Sequence, residues 1–114
     1  MKPVWHYSDV FHMNYYFCIG WKWAEYAKFV KMKLGHEQMN TDGIGHTFYC
    51  ADKGIAVWIA DKSDHITLAH ECLHAANYTL HRIGNQASHT NDETLAYLQG
   101  HLMRAATKKL KGKT

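Results

Sequence analysis

Two histidines four residues apart, with a glutamate directly after the first, are the residues of this chain best placed to do chemistry: His70-Glu71-Cys72-Leu73-His74. On a helix, residues four apart share one face, so the imidazoles of His70 and His74 can address a single cation at about 2.0–2.1 Å. Glu71 sits beside that face, where it can touch metal-bound water rather than the metal. There it can take the water's proton as general base and return it to a leaving amine. Zinc suits these ligand types and lowers the pKa of bound water to roughly 7. Two imidazoles and a carboxylate also suit iron or nickel. Apolar residues recur at helical spacing from Thr67 to Ile83, which predicts that the pentapeptide lies on a helix. The competing reading is an ordinary amphipathic helix whose polar side carries histidines.

A third ligand is expected downstream. Glu93 follows His74 after the intervening residues 75 to 92, where Thr90-Asn91-Asp92-Glu93 opens a second helical pattern. H-E-x-x-H followed at this distance by a Glu resembles the gluzincins, metallopeptidases in which a Glu on a second helix completes a two-His, one-Glu site. Thermolysin-like and aminopeptidase enzymes share that arrangement. More narrowly, three pieces resemble small uncharacterised metallopeptidases of tailed phages and prophages: His70-Glu71-x-x-His74-x-x-Asn77, a Gly84 turn, and Asn91-Asp92-Glu93-x-x-Ala96-Tyr97-Leu98. The resemblance implies a minimal zincin-like domain, one Zn2+ per chain on His70, His74 and Glu93, and a peptide or protein substrate. Larger gluzincins add a domain carrying substrate-binding groups, for which 114 residues leave no room.

Other residues compete for these roles. His89 and Asp92 are alternative third ligands. Glu93 also fits a capping box with Thr90 as N-cap, and capping and ligation would pull its side chain in opposite directions. Tyr97 and His101, four and eight residues after Glu93, are predicted near the metal-facing side of their helix. Either can orient a ligand histidine or donate to a developing oxyanion, and Tyr97 can instead pack between the helices. Asn77, three beyond His74, can bond the second helix or a substrate carbonyl. His81 shares the face of His70 and His74 but lies about 10 Å beyond His74 along an unbroken helix, too far for the same ion. A metzincin site is disfavoured because the position six after His74 is Leu80. His6, His12, His36, His46 and His65 have no spacing that commits them.

The elements that must position these residues follow from pattern. Val4 to Ile19 is rich in aromatic and β-favouring types, with a strand at Tyr15 to Ile19. Trp23, Ala27, Val30 and Leu34 recur at three- and four-residue steps, which predicts a helix from Trp21 to Leu34 stopped by Gly35. His36 to Gly45 is turn-rich and predicted as a loop. Thr47–Ala51 and Ile55–Ala60 flank Asp52-Lys53-Gly54 as a β-hairpin. In zincins the strand before the metal helix borders the cleft, so Val57 and Trp58 resemble an edge that binds extended peptide; the alternative is a core strand. Ser63 or Asp64 is the expected N-cap of a helix running from about His65 to Ile83, and a final helix follows from about Asn91 to Lys109. The expected fold is α+β: an N-terminal helix, a small sheet or hairpin, then two antiparallel helices facing each other across the metal.

Composition bounds the rest. With 46% hydrophobic residues, 114 residues fit a single domain, 1–114. The net charge is +3, and Lys108, Lys109, Lys111 and Lys113 crowd the end, more a solvated tail than a nucleic-acid arm. Cys18, Cys50 and Cys72 form no C-x-x-C pair, which disfavours a disulfide framework and favours a reducing cytoplasm. Cys72 points away from the metal face and is expected to be packing. No signal peptide or membrane span is apparent, so a cytoplasmic location is expected.

Three functions fit. The first is a zinc metallopeptidase. The second is a zincin scaffold without catalysis that binds a host or virion protein. The third is a DNA-associated protease resembling the SprT-like zincins.

Overall fold

The computed structural model describes residues 2–39, 43–84 and 92–112. Its elements are β1 (Val4–Ser8), β2 (Met13–Ile19), α1 (Trp23–Leu34), β3 (Gly45–Cys50), β4 (Gly54–Ile59), α2 (His65–Arg82) and α3 (Asp92–Gly112). The fold is α+β, as expected, and its sheet is larger than the predicted hairpin. Four strands lie in the order β1-β2-β4-β3. β1 and β2 are antiparallel, β2 and β4 parallel, and β3 and β4 antiparallel.

The parallel pair explains the layering. From β2 the chain passes through α1, over one face of the sheet, to β3 at its edge, and the β3–β4 hairpin then reverses it, so that β4 returns between β2 and β3 and parallel to β2. α1 packs Tyr26, Val30 and Leu34 against Tyr16, Cys18, Ala56 and Trp58 on one face. The other face carries Tyr15, Phe17, Ile55, Val57 and Ile59. They meet Leu68, Cys72, Ala75, Ala76 and Leu80 of α2 and Leu98, Leu102 and Ala106 of α3. Alternate residues of β2 and β4 therefore serve opposite layers. Every residue of β4 is buried, which is why its sequence is one apolar run.

β4 is an interior strand, hydrogen-bonded on both sides. Val57 and Trp58 are thus not a substrate edge: Val57 is 0% and Trp58 2% exposed, and the Trp58 indole donates to the Trp21 carbonyl at 2.7 Å. The edges are β1 and β3. β1 lies outside the strand predicted at Tyr15 to Ile19; its burial alternates, and such a half-exposed edge strand has no continuous apolar signature.

Helix ends follow local chemistry. Asp64 caps α2 by accepting from the Thr67 amide at 3.0 Å. Gly35 and Gly84 end α1 and α2 at φ +78° and +85°, a region glycine enters at little cost. No described helix is long and apolar enough to cross a membrane.

Candidate functional site

α2 carries His70, Glu71 and His74, and its core residues fix where each points. Leu68, Cys72, Ala75, Ala76 and Leu80 face the sheet. At about 100° per residue, His70 and His74 then fall on the outer side of the helix. Both are exposed. Their Nε2 atoms converge to 3.1 Å, with the rings edge to face at 4.7 Å. Two imidazole nitrogens at that separation fit one cation bonded to each at about 2.0–2.1 Å.

Glu71 occupies a third direction. Its side chain turns from the histidine face toward β3 and is only 6% exposed. The Thr47 hydroxyl on β3 donates to Glu71 Oε1 at 2.7 Å, with the Glu71 carbonyl 3.0 Å from the same oxygen. A carboxylate placed among apolar layers needs such a donor. Glu71 Oε2 lies beside Gly45: a Cβ added there would stand 2.9 Å from it and 2.5 Å from Thr67 Cγ2. Glycine is what lets β3 approach α2 this closely. Two residues on from Thr47, Tyr49 stacks on Tyr78 at 5.3 Å and 13°. Gly45, Thr47 and Tyr49 are thus the α2-facing residues of β3, spaced by two as a strand requires.

Thr47 and Gly45 are the site residues that sequence reasoning missed. The alternation Gly45-x-Thr47-x-Tyr49 was the available signal, but it names a strand face without naming what lies opposite.

His46, pointing to the α1 side of β3, shares a contact between its Nδ1 and the Tyr26 hydroxyl at 2.9 Å. Burial holds its pKa below the ordinary histidine value, with the Glu71 charge opposing that shift. Burial also pushes the Cys72 thiol up to about 12. Cys72 is fully buried packing, as expected.

The residues on α3 are not brought to the histidine pair. Leu95, Leu98, Leu102 and Ala106 face the core, and Glu93 lies about 180° around the helix from their mean direction. Glu93 is exposed. Tyr97 is 73% exposed on the same outer side and does not pack between helices. His101 belongs elsewhere: its Nε2 is 3.1 Å from Nε2 of His6 on β1. Gln99, two residues earlier, donates to the Ala69 carbonyl of α2 at 2.8 Å. Two residues turn the helix by about 200°, so His101 points away from α2.

The expectation of helices facing each other across a metal is therefore corrected. α3 sits beside α2 over the β1 side of the sheet, and the histidine pair lies on the outer surface of α2. Among the described residues, no three His, Cys, Asp or Glu side chains gather as a metal cluster. Asn77 is half-exposed on the His70 and His74 side of α2. His89, Thr90 and Asn91 lie outside the described residues, as do the side chains of Asp92, Lys109, Lys111 and Lys113.

No family model, curated protein or solved structure matches this chain.

Proposed function

We propose that this protein is a metal-dependent hydrolase acting on peptide bonds, with His70 and His74 as zinc ligands and Glu71 as the general base. The observation that carries the reading is the convergence of the His70 and His74 Nε2 atoms to 3.1 Å, with the Glu71 carboxylate held in the adjoining angle between α2 and β3. Zinc bound there would supply Lewis acidity toward a carbonyl and toward water.

The chain's own residues do the remainder. Thr47 fixes one oxygen of Glu71, which restricts the carboxylate's rotation and leaves Oε2 as the proton acceptor. Glu71 accepts a proton from the attacking water and delivers it to the leaving amine. β3 is an edge strand beside this carboxylate, with no strand on its outer side among the described residues, and that edge suits an extended peptide adding as a further strand. The resemblance offers Glu93 as the third ligand. Its place on the outer side of α3 favours instead a site confined to α2, with the other positions open to solvent or substrate.

The test compares zinc content and hydrolysis of a peptide library by the wild type, Glu71→Gln, and His70→Ala/His74→Ala. Glu71→Gln should keep zinc and lose turnover, and the double variant should lose the zinc held at His70 and His74 together with turnover. Full turnover by Glu71→Gln overturns the mechanism.

The placement of Glu93 also supports a second reading, a metal-binding scaffold without catalysis that engages a partner protein. Zinc retention with no turnover by any variant, the wild type included, is its signature. The cytoplasm is the compartment proposed for either reading, because all three cysteines are free.

A further inference from the structure

A second convergence of imidazoles lies on the far side of α3. His6 and His101 are 95 positions apart in sequence, yet their Nε2 atoms stand 3.1 Å apart, the same separation as in the α2 pair. Their rings meet at 5.0 Å and 62°. The His6 ring is seated on Tyr15, at 5.9 Å and 28°. Tyr15 is itself fixed. Thr79 gives its one proton to the Ala75 carbonyl at 2.9 Å, so the buried Tyr15 hydroxyl donates to Thr79 Oγ1 at 2.8 Å. One member of the pair thus rests on a rigid platform in the sheet, and the other projects from a helix packed above it.

We propose that His6 and His101 form a second cation site, for a borderline divalent ion such as Zn2+, which pins α3 to the edge strand β1. Without a cation, two neutral imidazoles at this distance share a single proton between facing nitrogens. A cation takes that proton's place and accepts both lone pairs. Imidazole nitrogen selects zinc, copper or nickel over magnesium or calcium. His101 is exposed, so water can complete the coordination.

The ligand form required is the neutral one. Partial burial first, then the nearby His101 and Lys108, hold the His6 pKa below the ordinary value. Lys108 also repels an incoming cation, so Lys108→Gln should tighten binding. The two ligands come from opposite ends of the chain and meet only in the folded state. A bound ion therefore stabilises the fold by linkage.

The proposal is independent of the α2 site, and the experiment separates them by using His70→Ala/His74→Ala protein, stripped with chelator and titrated with ZnCl2. Calorimetry should show one zinc per chain, and melting should show a rise in Tm. Adding His101→Ala should weaken the affinity at least tenfold and remove the rise. All three substituted histidines are exposed, so the core is untouched. Ring 15N spectra of the wild type give a second readout, in which zinc should shift the Nε2 signals of both His6 and His101. Zinc binding that is absent, unaffected by His101→Ala, or shared as one ion between two chains overturns the proposal, as do unshifted His6 and His101 signals.

Discussion

The Thr47 hydroxyl donates to Glu71 Oε1 at 2.7 Å, which ties the helix bearing the two histidines to an edge strand and fixes the orientation of its one buried carboxylate. The Glu71 carboxylate is thereby seated in the angle between α2 and β3 rather than free to turn into solvent. Held by Thr47, it presents one oxygen in one place.

Thr47→Val keeps the shape of the side chain and removes the donor. Losing a hydrogen bond to a charged group should cost about 1.5–3 kcal/mol of stability. If the hydrolytic reading holds, kcat should fall while zinc content stays constant. Denaturant melts and metal analysis on the same preparation measure both. Glu71→Gln should lower turnover by about 10²–10⁴.

Gly45→Ala introduces a Cβ 2.5 Å from Thr67 Cγ2 and 2.9 Å from Glu71 Oε2, so the Thr67 and Glu71 side chains must shift or β3 must move away from α2. Overpacking of this kind costs about 1–3 kcal/mol. The expected result is a lower Tm with zinc binding at His70 and His74 preserved, because neither histidine faces β3.

Glu93→Ala tests the seat of α3. With Glu93 on the outer side of its helix, zinc affinity should change less than threefold and the unfolding free energy by no more than about 0.5 kcal/mol. A loss of zinc comparable to that of His74→Ala would place α3 in the site after all.

The pH dependence of stability has a defined sign. The folded pKa of His46 is depressed by burial, so the unfolded chain binds more protons as the pH falls below about 6.5. Its stabilising contribution is complete above that pH and is lost progressively below it. His6 shifts in the same direction. Tm should fall between pH 7.5 and 5, and His46→Gln, measured the same way, should reduce the slope.

Cys18 and Cys72 are fully buried, with their thiol pKa values raised by burial. Neither should react with a thiol reagent at pH 8 in the native protein, and both should react in denaturant. Rapid native labelling of Cys72 would mean that α2 is not seated on the sheet as described.

Local chemistry was legible wherever the signal was local. The Asp64 cap, the Gly84 stop, the β3–β4 hairpin around Asp52-Lys53-Gly54, and the i, i+4 placement of His70 and His74 each depend on a few adjacent residues, and each appears in the structure. The α+β class followed from those elements. What periodicity could not supply was the partner of each face. Once Val4–Ser8 forms a fourth strand, the sheet is wide enough to seat α3 beside α2, so Glu93 and Tyr97 turn outward and His101 meets His6. Parallel pairing of β2 with β4 likewise made Val57 and Trp58 interior and gave the edge to β3. By itself, the sequence determined which residues share a helix turn or a strand face, because backbone geometry sets those neighbours within four or five positions. Only the tertiary structure decided what stands opposite them, because burying the apolar faces of three helices on one sheet is settled by the whole chain at once.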